Sequence, residues 1–473
     1  MILFGIFNVF QIPLISSNSD VLLYSLRSKS DRPIVQYAFY EKTFHHGGIP
    51  LPNYHVAHTV FLWSIYQLVP KFVQNSIWPA GLLSSVAGAL SVGLSFLIWI
   101  RLGVARERAL IASVLYGLTP AIWHNTLIGE VYSLQYLFVF LFLYFFFHHK
   151  SGLSAFSFAL ANLVSPISGF AFSLIMIGKR TGKSFIQAIL VGLLAVGMYL
   201  LMVTLLDINF LRAFDAISAA QHNLLWKGYK FSMILLLNIH LFFVFILRAP
   251  KTDGIKNPTS TLFLLLGTSP YLLMGFYDSQ FLVEKGSFLS MLFWACALII
   301  AQRVQFDNKS LKILIFCALA NVVVYFLFWK MPDVQIAQAR HDAARELHKS
   351  CLSHLKIVGS WSHAVGLIVE RDGWDLRYLS DTFIDIPNPT EQDLLRLHQD
   401  SLLIVLFNRE GWIARTSKRF FPTSLANLYD FKAGLVDGIV EEKVRNNYFI
   451  VCLWRRGDAP FDRTAPETWK NVK

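Results

Sequence analysis

Charge is scarce in this chain of 473 residues: Asp, Glu, Lys and Arg together make up 15%, against 55% hydrophobic residues. With a mean hydropathy of +0.48, that balance excludes an ordinary soluble fold for most of the chain. Cysteine is scarcer still, at four. Cys296 and Cys317 lie in apolar runs and Cys351 and Cys452 in a polar tail. This excludes a disulfide framework and leaves room for one Cys351 to Cys452 bridge if the tail is extracytoplasmic. No Asp-X-Asp triplet, P-loop or G-x-G-x-x-G occurs, so the usual signatures of nucleotide-sugar transferases and nucleotide binding are missing. G-x-S-x-G is absent too, which lowers the case for a serine hydrolase. Acids are the scarcer sign, 30 against 42 basic residues, giving a net charge of +12. Many of the basic residues sit in short loops between apolar runs, where they set orientation, so the excess implies no nucleic-acid partner.

Long apolar runs are present instead. They fall at 79–100, 109–128, 131–148, 184–206, 231–247, 259–277, 286–302 and 311–329, each close to the roughly 20 residues that a spanning helix needs. Residues 1–15 read as a retained, rather short first span, since they lack a positive start and a small-residue cleavage site. The stretch 55–69 is apolar but short and ends at Pro70, which suits a helix lying in the membrane interface. The stretch 155–177 is interrupted by Asn162, Ser165 and Pro166 and has basic residues beyond both ends, so it is expected to enter the membrane and return as a broken hairpin.

Residues 1–330 are therefore expected to form an all-α polytopic membrane domain of about 10–11 transmembrane segments with one broken hairpin. From residue 331 charges become frequent and apolar runs shrink to strand length, at 355–358, 402–407 and 448–453, with helical spacing at 333–347 and 390–397. That alternation predicts a small α/β domain over 331–473.

Cytoplasmic loops carry the excess of Lys and Arg. Placing Arg101, Arg106, Arg108, Lys150, Lys179, Arg180, Lys183, Arg248, Arg303 and their basic neighbours inside satisfies the rule. The loop 16–78, the turn at Glu130, the loop 207–230 and everything after Lys330 then lie outside, making the α/β domain extracytoplasmic. Asp20 and Glu130 share that outer face.

Several residues there could carry chemistry. Asp20 lies just past the first span, where a general base toward a hydroxyl would be well placed; it equally suits a helix cap, since Ser17-Asn18-Ser19-Asp20 precedes an apolar run. Glu130 sits in Gly129-Glu130-Val131-Tyr132 between two lipid-length runs. There a carboxylate is costly and often functional, or favours the dipole of the next helix. His55 and His58 share a helical face, fitting hydrogen-bonding or phosphate-contacting roles; no recognisable metal-ligand spacing surrounds them. Arg212, Lys227, Lys230 and Lys285 are basic yet external, and either hold a lipid phosphate or are solvated loop charges.

These residues carry a resemblance. An acid shortly after the first span (Asp20), a divergent interfacial segment from Pro50 to His58, a basic turn from Ile100 to Arg108, Thr119-Pro120 and then Gly129-Glu130-Val131-Tyr132 together resemble the GT-C class of integral-membrane glycosyltransferases. That class includes protein O-mannosyltransferases and the aminoarabinose transferase of lipid A, and the Glu-Val-Tyr motif is most similar to the branch related to the former. The hairpin break at Ser165-Pro166 has its counterpart there. Two features depart from the pattern: no second acid adjoins Asp20, and the Pro-Pro after the first His is absent.

The resemblance implies a sugar donor carried on a polyprenyl phosphate, with the tail among membrane lipids and the sugar at the external face. It implies inverting transfer to an acceptor hydroxyl of a protein, lipid or glycan, with Asp20 as base. Glu130, Tyr132, His55, His58, Arg212, Lys227, Lys230 and Lys285 would bind substrate, with no metal or cofactor. Compact loops and the lack of a eukaryotic retention signal lead us to expect a bacterial inner membrane. A different class fits the broken helices and external acids as well: a non-catalytic transporter or flippase of lipid-linked glycans. Many transporters show repeated halves, and this chain shows none.

Overall fold

The structure, a computed structural model, describes residues 2–12, 55–177 apart from 75, 182–205, 231–240, 242, 247, 264, 267–273, 287–303 and 307–331. It also describes the backbone of five strands beyond residue 355. The chain divides into two compact units, Met1–Leu14 with Pro52–Lys330, and Ile15–Leu51 with Met331–Lys473.

The first unit is helical. In chain order its helices are α1 (Ile2–Val9), α2 (Val56–Leu68), α3 (Trp78–Arg101), α4 (Arg106–Gly117), α5 (Pro120–Ile128), α6 (Val131–Phe147), α7 (Ser151–Val164), α8 (Gly182–Leu205), α9 (Ser290–Arg303) and α10 (Asn308–Tyr325). A further apolar helix covers Phe231–His240. Among the described residues three helices are long and apolar enough to cross a membrane, or four if the bent pair of α5 and α6 is one span. Of the expected spans, 259–277 and much of 231–247 lie outside the described residues.

Helix α3 is the central post. At 1.5 Å per residue its 24 residues extend about 36 Å, enough for a bilayer core of about 30 Å. Pro79 opens it at a position where the missing N–H costs nothing. Glycines let its neighbours approach closely: a Cβ on Gly88 would stand 2.2 Å from Thr126 Cγ2, and one on Gly81 would stand 2.4 Å from Ile12 Cγ2. Helices α8 and α10 are peripheral, exposing Leu193, Leu201, Phe316 and Leu319 among others. In hydrocarbon, outward apolar side chains are the stable arrangement.

The expected span 109–128 is two helices rather than one. Helix α4 ends at Gly117, Thr119 takes an extended conformation (φ −58°, ψ 128°), and Pro120 starts α5. The physical reason is steric, since the residue before a proline is pushed out of the helical region while proline itself suits a helix start. The hairpin expected at 155–177 is present. Helix α7 stops at Ser165 (φ −158°), Pro166 opens a 3₁₀ segment to Ile177, and the chain returns so that Phe172 lies 5.5 Å from Phe158 and 6.1 Å from Phe142.

An aromatic core fills the middle of the unit. Trp294 of α9 lies 5.8 Å from Trp99 and 5.7 Å from Phe140, and Tyr116 meets Trp99 edge-on at 6.5 Å. At one end of the bundle Arg101 Nε donates to the Phe147 carbonyl at 3.0 Å and Gln187 Nε2 to the Phe146 carbonyl at 3.0 Å. At the other end Lys330 Nζ donates to the Gln11 carbonyl at 3.4 Å.

The second unit contains a five-stranded sheet of order β2-β1-β3-β5-β4, with β1 (Lys356–Gly359), β2 (Phe383–Asp385), β3 (Leu403–Asn408), β4 (Ile439–Arg445) and β5 (Tyr448–Trp454). Strand β1 pairs in parallel with β2 and β3, whereas β5 pairs antiparallel with both β3 and β4. Three of these strands fall where apolar runs predict them. Strand β4 was not predicted from sequence, since its Ile-Val-Glu-Glu-Lys-Val-Arg is charge-rich, as suits an edge position. The helices expected at 333–347 and 390–397 lie outside the described residues.

Candidate functional site

The break between α5 and α6 is a bend of 110°. Gly129 makes it by adopting the left-handed conformation (φ +80°). A side chain is excluded there on a second count, since a Cβ would lie 2.6 Å from Ala80 Cβ and 2.9 Å from the Ala80 carbonyl carbon. Glycine is the residue that meets both demands.

A helix that stops inside an apolar bundle leaves its last carbonyls without partners, at about 1–3 kcal/mol for each one buried unsatisfied. The neighbouring helices supply hydroxyls. Ser133 Oγ of α6 donates to the Asn125 carbonyl at 2.9 Å, and Ser85 Oγ of α3 to the Thr126 carbonyl at 2.6 Å. Ser84 Oγ donates to the Glu130 carbonyl at 3.2 Å. The Thr126 hydroxyl donates to the Trp123 carbonyl at 2.7 Å and accepts from Asn8 Nδ2 at 3.0 Å, which ties α1 to the same elbow.

Glu130 is the N-cap of α6, its carboxylate accepting from the Val131 N–H at 3.3 Å. At 3% exposure it is the one buried acid among the described residues. Burying a carboxylate costs several kcal/mol in the absence of compensation, so the position demands more than a favourable helix dipole. Tyr132, also buried, meets Phe288 edge-on at 5.1 Å.

His55 and His58 both reach the site as buried residues. His55 precedes α2 and its Nδ1 donates to the carbonyl of Val164, the last residue of α7. His58, one helical turn on, is buried beside the backbone of Gly129. Two histidines at the start of α2 thus lie at the two chain breaks, His58 at the elbow and His55 at the hairpin. Burial pushes the His58 imidazole down to about 3, the neighbouring His55 adds to this, and the Gly129 backbone opposes it. His58 is therefore neutral at physiological pH.

The end of α1, the start of α3 and the elbow converge: Gly81 lies against Ile12 and against the Leu127 carbonyl oxygen. Asp20 follows Ile12 in the chain but lies outside the described residues, as do Arg212, Lys227, Lys230 and Lys285. The serines of α3 and α6, Asn125 and Ser287 were not singled out from sequence. Small polar residues scattered in apolar runs carry no signal until their partners are known. Among the described residues no group of three or more His, Cys, Asp or Glu side chains could hold a metal ion.

No family model matches the chain. No curated protein matches it either. Solved structures do. The crystal structure of ArnT from Cupriavidus metallidurans bound to undecaprenyl phosphate is similar over 95% of this chain and 96% of that one, with a TM-score of 0.53 and 9% identity. The apo state of the same protein gives a TM-score of 0.54 at the same identity and coverage. At that identity the likeness establishes shared architecture, and the chain has the fold of ArnT.

Proposed function

We propose that this protein is an integral-membrane glycosyltransferase of the GT-C class, moving a sugar from a polyprenyl-phosphate carrier to an acceptor hydroxyl at the extracytoplasmic face. The observation that carries the reading is the buried carboxylate of Glu130 on a braced elbow, at the end of the bundle where α1 finishes. The fold supports it, since ArnT was solved with undecaprenyl phosphate bound.

In the proposed reaction the acceptor oxygen attacks the anomeric carbon while the carbon–oxygen bond to phosphate breaks. Asp20 takes the hydroxyl proton and the polyprenyl phosphate leaves with the bonding pair, inverting the anomeric centre. Arg212, Lys227, Lys230 and Lys285 would stabilise the charge that develops on the phosphate. Glu130 and Tyr132 would orient the sugar. His58, buried and neutral, would serve by packing against the elbow, because an uncharged imidazole is a poor partner for an anion, and His55 would hold the hairpin break through the Val164 carbonyl. The Gly129-to-Tyr132 motif favours the branch related to protein O-mannosyltransferases, and residues 331–473, as an extracytoplasmic α/β domain, would present the acceptor.

The test is turnover by the purified full chain of a radiolabelled polyprenyl-phosphate sugar, with release of polyprenyl phosphate and an Asp20→Asn comparison. Transfer that vanishes in Asp20→Asn, with expression intact, is expected. Retained activity in that variant removes the assigned base. Movement of lipid-linked sugar across a vesicle membrane without transfer would establish the transporter instead.

A further inference from the structure

Asn125 lies one helical turn before Gly129 and is almost wholly buried, at 2% exposure. Its backbone carbonyl is capped by Ser133 of α6. Its side chain does something else: Oδ1 accepts at 2.7 Å from the hydroxyl of Ser287, in the short 3₁₀ turn Ser287–Leu289 that leads into α9. Ser287 is fully buried. Its carbonyl accepts from the Tyr136 hydroxyl at 3.1 Å and from Ser290 Oγ at 2.8 Å. The next residue, Phe288, meets Tyr132 edge-on. Side chains from both arms of the elbow, Asn125 before the bend and Tyr132 and Tyr136 after it, thus converge on two consecutive residues of one distant segment.

We infer that Asn125 is a positioning residue for the acidic elbow, acting through Ser287 as a latch that fixes the Glu130 turn to the start of α9. The inference rests on the proposed glycosyl transfer at that elbow. A hinge formed at a glycine has no intrinsic angle, and the serine caps fix it only against α3 and within α6. Asn8 ties the first arm to α1 through Thr126, and the latch adds an anchor on a segment that none of these reaches, the start of α9. It also joins the elbow to the chain segment in which Lys285, a candidate phosphate contact, precedes Ser287 by two residues. In a water-poor interior such a hydrogen-bonded knot is stiff, and losing one member leaves its partner unsatisfied.

The experiment uses the purified full chain with Asn125→Ala, Ser287→Ala, the double variant and Ser287→Thr. Two readouts are taken: turnover of the polyprenyl-phosphate sugar, and hydrogen exchange of amides 131–134 and 287–290. Each single alanine is expected to lower kcat about 10-fold with KM within about twofold, the scale of a modest misplacement of a catalytic group. The double variant should be no slower than the slower single, because one bond is being removed twice. Ser287→Thr, which keeps the hydroxyl, should restore kcat, and both amide stretches should exchange faster in either alanine variant. Additive losses approaching 100-fold, or alanine variants with wild-type kcat and exchange, overturn the latch. A wild-type chain that transfers no lipid-linked sugar overturns the functional reading, and the exchange comparison still decides whether the latch exists.

Discussion

The Ser84 hydroxyl donates across 3.2 Å to the carbonyl of Glu130, so the buried acid is fastened by its backbone to the first turns of α3 while its carboxylate caps α6. Backbone and side chain therefore have separable tasks. Asparagine is a good N-cap without a charge. Glu130→Asn is expected to hold stability within about 1 kcal/mol and to lower turnover about 100-fold, the scale of a substrate held out of its productive orientation. Thermal unfolding in detergent and transfer assays check the two halves. Wild-type turnover in this variant would reduce Glu130 to a helix cap.

Gly129 and Gly103 both have positive φ, +80° and +89°, but differ in surroundings. A Cβ at Gly103 meets nothing within 4 Å, whereas one at Gly129 meets Ala80 at 2.6 Å. Gly103→Ala should cost only the left-handed strain, about 1–2 kcal/mol. Gly129→Ala should add an overpacking cost of about 1–3 kcal/mol. Equal melting temperatures for the two variants would contradict the close approach of the elbow to α3.

The Gly88 and Thr126 contact predicts a compensating pair. Gly88→Ala drives a methyl to 2.2 Å from Thr126 Cγ2 and should destabilise the protein by about 1–3 kcal/mol. Thr126→Ser deletes that methyl and retains the hydroxyl that bonds Asn8 and the Trp123 carbonyl. The double variant should recover much of the loss, a coupling that a double-mutant cycle measures. Strict additivity would show that the two residues do not touch.

His58 predicts a pH dependence of definite sign. Its folded value lies below its ordinary 6.5, at about 3, chiefly through burial. The unfolded chain therefore binds the proton more readily. The contribution of His58 to stability is complete above pH 6.5 and is lost progressively as the pH falls from there toward 3. Wild-type melting temperature should fall over that window, and His58→Gln, which cannot be protonated, should fall less. Identical profiles would show that His58 is accessible to water in the folded state.

The position of the elbow was legible in the sequence because Gly129 and Glu130 interrupt two apolar runs, and the hairpin break because Ser165-Pro166 does the same. The break at Thr119-Pro120 is not legible from hydropathy, since a proline between apolar residues leaves hydropathy high while ending the helix. What braces the site was illegible for a different reason. Ser84, Ser85 and Ser133 earn their roles from carbonyls supplied by another helix, and no local pattern encodes that. His55 and His58 are visible as a pair, but their placement against Val164 and Gly129 depends on segments roughly 70 to 110 residues away in the chain.

The apolar flanks of α8 and α10 differ from α3 in what constrains them. Residues such as Leu193 and Leu319 face outward, so any side chain of suitable hydropathy serves there, and their stretch can lengthen or tilt to match a thicker or thinner bilayer at a small cost per ångström. The glycine and serine positions of α3 have no such latitude. Adaptation to a new lipid environment can proceed at the rim of this molecule while its tightly packed centre stays unchanged.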